Sequence, residues 1–247
     1  EQIAAGRDAT NVDDTGVRDE GVNLPAGTDV IFPVTDVADP NYAVEVVLQV
    51  GSRRDLRLRA ALGLFQQLFQ DASFADLRTR QQLGYIVALR RRPDGLAMAA
   101  SLLVQSPHVD PVQVDRLIDE FLAGTTEMLR AMSAEEYAAH QRARIHDLLK
   151  RPTSLQEEAE AYWVEIEDRL LDFAVNQKTA ELVGQLTPDD MIAFLQAFIV
   201  PGGRERRKVA SHVWPRGAAA KYSDADTAKI IRDAQEFKAG QAYFKLQ

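Results

Sequence analysis

"LRTRQQLGYIV", residues 77 to 87, joins a helical pattern to a strand-like one, and its reading decides the fold. A helix over roughly Phe74 to Gln82 stops at Gly84, a residue suited to a left-handed helix cap. Leu83 to Val87 then opens a strand, with Tyr85 as its first residue. On such a helix Arg78 and Gln82 share one face, while Phe74 and Leu77 turn inward. Helical rise separates Arg78 from Tyr85 by on the order of 10 Å along the chain, so both tips could reach one cleft. Guanidinium and phenol both donate hydrogen bonds, and the pair could serve a peptide carbonyl or an oxyanion. An exposed arginine beside an amphipathic tyrosine that caps a sheet is the commoner explanation of the same residues.

Upstream, Leu58, Ala61, Leu62, Phe65, Leu68 and Phe69 recur at three and four, predicting an amphipathic helix from Asp55 to about Gln70. Before it, "DVIFPV" (29–34) and "AVEVVLQV" (43–50) read as strands, the second closed by Gly51-Ser52. Downstream, "YIVALRRR" and "LAMAASLLVQ" flank the turn signal Pro93-Asp94-Gly95, which predicts an antiparallel hairpin.

The second half is mostly helical. Asp110 before Pro111 predicts an N-cap with proline in the first turn, and an apolar stripe runs from Val114 to Met132. Ser133 with Glu136 and Ser154 with Glu157 match capping boxes, and Thr187 with Asp190 resembles one. "RKVASHVW" (207–214) returns to strand character, and a last short helix is expected over Asp224 to Phe237. This order predicts an α+β fold, a mainly antiparallel sheet packed against several helices. Residues 1–28 are polar and without a period, and read as a linker or tail; residues 29–247 read as one domain.

Bulk properties exclude several functions. The 247 residues are 46% apolar and 27% charged, ordinary for a globular protein, with a formal net charge of −8. An acidic balance argues against a nucleic-acid partner, because phosphate neutralisation needs a basic surface. Arg90-Arg91-Arg92 is therefore read as a solvated hairpin end or a local surface for an acidic or extended polypeptide. No apolar run approaches the roughly 18 residues of a membrane span, so no membrane partner is expected. Cysteine is absent, which removes disulfides and thiolate chemistry without deciding between cytoplasm and periplasm. The first residue is Glu1, which reads as a fragment or a processed chain.

No cofactor site is legible. His140 and His146 are six apart, about 120° around a helix and poorly placed for one ion. Neither H-E-x-x-H nor H-x-x-E-H occurs. His108 sits in a loop, and His212 in a strand reads as a packed or half-exposed histidine. No serine elbow or phosphate loop is present, and the paired carboxylates lie in first helical turns, where the helix dipole explains them.

"FADLRTRQQLGYIV" nevertheless resembles the C-terminal half of the inverted-zinc-motif metallopeptidases, the insulin-degrading enzyme and pitrilysin family. "RRRPDGLAMAASLLVQS", "YWVEIEDRLLDFAVN", "LTPDDMIAFLQAFI" and "EFKAGQAYF" are similar too, so the likeness runs from about residue 25 to the end. The resemblance implies the last, noncatalytic domain of an enzyme whose zinc and H-x-x-E-H helix lie in its first domain. It implies that Arg78 and Tyr85 reach across to that zinc site, contact the substrate backbone and stabilise the tetrahedral intermediate, with Gln82 beside them as a substrate-binding residue. Implied partners are the catalytic N-terminal half and unfolded peptides, with zinc in that half and none here. Alone, the chain is then expected to be inactive. A noncatalytic scaffold or peptide-binding subunit of the same fold is the alternative.

Overall fold

The computed structural model describes residues 21–167 and 170–245. Most of the expected N-terminal tail lies outside the described residues. Its last part, from Gly21, is packed: β1 (Val22–Asn23) pairs antiparallel with β7 (Ala242–Tyr243), and Gly27 N donates to Arg206 O at 2.9 Å.

Five strands make the main sheet: β2 (Asp29–Val37), β3 (Tyr42–Ser52), β4 (Ile86–Asp94), β5 (Ala97–Ser106) and β6 (Lys208–Pro215). Their order is β2-β6-β3-β5-β4; β2 runs parallel to β6 and every other pairing is antiparallel. The fold is thus α+β with a mainly antiparallel sheet. In β3 the alternation of Val44, Val46, Leu48 and Val50 turns branched side chains into the core, as its β-branched content requires.

Helices α1 (Leu56–Ser73) and α2 (Pro111–Ala131) supply the other side of that core through Leu64, Phe65, Phe69, Ile118 and Leu122. Around them stand α3 (Ala134–Leu149), α4 (Leu155–Glu167), α5 (Val175–Gln185) and α6 (Pro188–Phe194). Each expected cap is local and forms. Asp110 accepts from Gln113 N; Ser133 accepts from Glu136 N as a simple N-cap, not the expected box; and Thr187 closes a reciprocal box with Asp190. At α4 the box is altered: Ser154 accepts from Glu157 N, but the Glu157 carboxylate turns back to Thr153.

Four expectations are corrected. The separate helix over Phe74–Gln82 is instead a π-helical continuation of α1 over Phe74–Arg80. A π turn inserts an extra residue, which rotates the following side chains. Leu77 is completely buried while Phe74 turns outward, not inward with it. The left-handed residue is Gln82, at φ 53°, and not Gly84. Gly84 is needed for close approach: a Cβ there would stand 1.8 Å from Gln105 O of β5. Finally, the last helix is two short ones, α7 (Asp224–Thr227) and α8 (Ala234–Ala239), because Ile230 and Ile231 leave helical geometry to bridge Ile31 of β2.

Candidate functional site

Leu77 and Leu83 anchor the two ends of one loop in the core, and the residues between them are pushed to the surface. Leu83 N donates to Leu77 O at 3.1 Å and Gln81 N to Asp76 O at 2.9 Å, closing the loop on itself. Asp76 braces it further, accepting from Gln81 Nε2 at 2.9 Å and pairing with Arg80. The backbone then passes tightly against β5 at Gly84 and projects Tyr85, which is 82% exposed, just before β4 begins at Ile86.

Arg78 lies between two rings. Its Cζ is 4.6 Å from the Phe74 centroid and 4.9 Å from the Tyr85 centroid. Aromatic faces attract a guanidinium through their quadrupoles and hold it flat without consuming its N–H groups. Among the described residues Arg78 makes these ring contacts and no ion pair, and the Tyr85 hydroxyl has no hydrogen bond. The structure thus brings Arg78 and Tyr85 together. Gln82 is exposed nearby in the chain, on its left-handed turn.

Beside the pair, Phe74, Gln70 and Gln66 on the helical side face Val87 and Leu89 of β4 across an open cleft of about 570 Å³. Strand β4 is an edge of the sheet, so among the described residues its outer backbone groups have no neighbouring strand. Exposed Phe74 and Ile86 add apolar surface at the mouth of the cleft. An extended peptide needs such a combination: backbone donors and acceptors along an edge, apolar contacts, and fixed cationic or phenolic donors.

The three arginines of β4 do not form a hairpin tip. Arg92 binds Glu45 across the sheet, Arg91 Nε donates to Gln66 Oε1 at 2.9 Å, and the turn is made by Gly95 and Leu96.

A second polar cluster escaped sequence reasoning. His212 is 1% exposed; its Nε2 lies 3.2 Å from Asp115 Oδ2 and its Nδ1 3.3 Å from the Tyr222 hydroxyl. Lys208 Nζ reaches Asp115 Oδ1 at 2.6 Å and Asp119 Oδ2 at 2.8 Å, while Arg206 Nη2 reaches Asp119 Oδ1 at 2.5 Å. Burial works to raise the Asp115 carboxyl, but the His212 hydrogen bond and the Lys208 ion pair outweigh it and hold it below the ordinary range. For Lys208, burial works downward, and attraction to Asp115 and Asp119 carries it above the usual ammonium range. The only signal in the sequence was the shared spacing of four in Asp115/Asp119 on α2 and Lys208/His212 on β6. The cluster is closed by its own partners and ties α2 to the sheet.

No group of three or more histidines and carboxylates able to hold a metal occurs among the described residues. No described helix is long and apolar enough to cross a membrane.

Residues 64–163 match the family described as PQQ synthase PqqF-like, C-terminal lobe domain 4. The chain is 31% identical to the Arabidopsis thaliana protein named insulin-degrading enzyme-like 1, peroxisomal, over 72% of this chain and 18% of that protein. With human insulin-degrading enzyme it shares 26% identity over 93% of this chain and 24% of that protein. Among solved structures, pitrilysin superposes with a TM-score of 0.77 at 22% identity, over 91% of this chain and 24% of that one. The chain therefore spans about a quarter or less of the length of these relatives.

Proposed function

As the chain is a C-terminal domain of the insulin-degrading enzyme and pitrilysin family of zinc metallopeptidases, we propose that it closes a peptide-degrading chamber and lends Arg78 and Tyr85 to a zinc site held by another part of a longer protein. One observation carries this reading. Arg78 is held by the Phe74 and Tyr85 rings, so its N–H groups and the Tyr85 hydroxyl remain unspent at the surface. Donors fixed before substrate arrives need no reorganisation when charge develops, and that is where hydrogen bonds are worth most to catalysis.

In this reading the peptide lies extended along the β4 edge, and Arg78 binds a backbone carbonyl. The Tyr85 hydroxyl donates to the oxyanion forming at the scissile carbonyl. A zinc ion bound in another part of the longer protein would supply the activated water, because the described residues of this chain form no cluster fit to hold one.

The test is a fluorogenic-peptide assay on the purified chain, on the catalytic half of its parent, and on the two mixed. Hydrolysis that requires both is expected. Association without any gain in hydrolysis would replace this reading with a noncatalytic scaffold or peptide-binding subunit.

A further inference from the structure

The cleft beside Arg78 and Tyr85 continues past Leu89. On its helical wall Phe74, Gln70 and Gln66 are followed, about one turn at a time, by Leu62 and Arg59. On β4, Val87 and Leu89 are followed on the same face by Arg91. Gln66 joins the two parts, because its Oε1 accepts from Arg91 Nε. The far part is a cavity of about 200 Å³, so a cleft walled by apolar and amide side chains ends among arginines.

Arg144 of α3 completes the cluster. Its guanidinium lies over Gly63, next to Leu62, where a Cβ would stand 2.8 Å from its Nε. Glycine inside a helix is destabilising relative to alanine, yet here it admits the guanidinium. Arg144 is 8% exposed and makes no hydrogen bond or ion pair among the described residues. Arg91 has neutral Gln66 as its partner and, among the described residues, no ion pair. Burial lowers the pKa of both arginines, and repulsion from Arg91 and Arg59 lowers that of Arg144 further. The carboxylate that attracts both, Asp147, is itself exposed to solvent. Buried cations are normally paired, and this pair lacks a buried carboxylate among the described residues.

Distance selects the occupant. Arg91 follows Tyr85 by six residues, about 20 Å of extended chain. A peptide paired with the β4 edge keeps register with it, so a side chain about six residues from a bond held at Tyr85 arrives at Arg91. Guanidinium forks match the geometry of a carboxylate.

We propose that Arg91 and Arg144, with Arg59 beside them, form a specificity pocket for an acidic side chain that the peptide carries about six residues from the bond cleaved. This rests on the reading of β4 as the edge that holds an extended peptide.

The test uses the full-length parent and a series of fluorogenic peptides in which a single glutamate moves along an otherwise neutral sequence, the cut bond being read by mass spectrometry. Relative to glutamine at the same position, kcat/KM is expected to peak about tenfold higher where the glutamate lies about six residues from that bond, on one side of it. The glutamate-to-glutamine ratio is expected to fall to about one in Arg91→Gln and Arg144→Met parents and to survive in part in Arg91→Lys. Because the ratio is taken within each variant, a general loss of activity or stability cancels. A flat scan overturns the proposal, and so does a peak that persists in both arginine-deleting variants. An equal gain from glutamate at every position also overturns it, reducing the cluster to a general attraction for acidic chains. Millimolar inorganic phosphate that raises the melting temperature of the chain but not of its Arg144→Met variant, together with a flat scan, assigns the pocket to a free anion instead. Turnover by a Tyr85→Phe parent is read separately: if it is unchanged while the peak remains, the catalytic reading of Tyr85 fails and this pocket stands.

Discussion

The guanidinium of Arg78 lies over the ring of Tyr85, 4.9 Å from its centroid, although one residue lies in the last turn of a helix and the other precedes a strand. The contact fixes a cation and a phenol at one point of the surface while leaving their hydrogen-bonding groups available. Neither side chain belongs to the buried core, so the catalytic role proposed for each can be tested apart from a structural one.

Tyr85→Phe keeps the ring and the stacking on Arg78 but deletes the hydroxyl. In the intact parent peptidase, kcat is expected to fall about 10²- to 10³-fold, the usual cost of losing one oxyanion donor. Thermal melting of the chain is expected to stay unchanged, since the side chain is almost wholly exposed. Unchanged turnover would remove Tyr85 from the mechanism.

Gly84→Ala places a methyl group against the Gln105 carbonyl of β5, where no flexible side chain can yield. Overpacking of that kind is expected to destabilise the chain by about 3 kcal/mol. Urea denaturation measures it. A loss below about 0.5 kcal/mol, the usual range for surface changes, would mean that the strand entry relaxes easily.

Lys208→Met leaves Asp115 and Asp119 facing a buried site without their ammonium. Breaking one side of a buried pair typically costs about 3–5 kcal/mol, and that loss is expected in denaturant titration.

The same cluster sets a pH dependence. Asp115 has a folded pKa below its unfolded value of about 3.9, so its contribution is full above that pH and is lost as pH falls through the folded value. Lys208 is shifted the other way, so its contribution is full below about pH 10.4 and is lost as pH rises through the folded value. Stability followed from pH 2 to 7 is expected to drop at the acid end, and Asp115→Asn is expected to flatten that limb. An unchanged acid limb in the variant would assign acid sensitivity to other carboxylates.

Arg144 is buried above Gly63, and its Nε has no hydrogen-bond partner among the described residues. Burial, with Arg91 and Arg59 adding repulsion, lowers its pKa from the usual 12.5 to about 10. A base whose folded pKa is depressed costs stability while it is charged, and that cost fades above the folded pKa. Arg144→Met is therefore expected to be neutral or to stabilise the chain at pH 7 by about 1 kcal/mol, as seen when buried charges yield to apolar side chains. A loss of several kcal/mol on calorimetry would show that the guanidinium has a compensating partner.

What sequence alone determined was local. Alternation in 43–50, the three- and four-residue spacing after Asp55, and the turn signal Pro93-Asp94-Gly95 each report a backbone preference set within a few residues, and the strands, α1 and the hairpin followed. The caps at Asp110, Ser133 and Thr187 were legible for the same reason. Arg78 and Tyr85 stood out by family resemblance, while their stacking needed the π turn that no periodicity announces. Tertiary structure alone decided why residue 84 is glycine, because the atom it must avoid belongs to Gln105 on another strand. It alone joined His212 to Asp115, 97 residues apart. A side chain's pattern states which surroundings it suits; which element supplies them depends on how distant segments pack, and that information is not local.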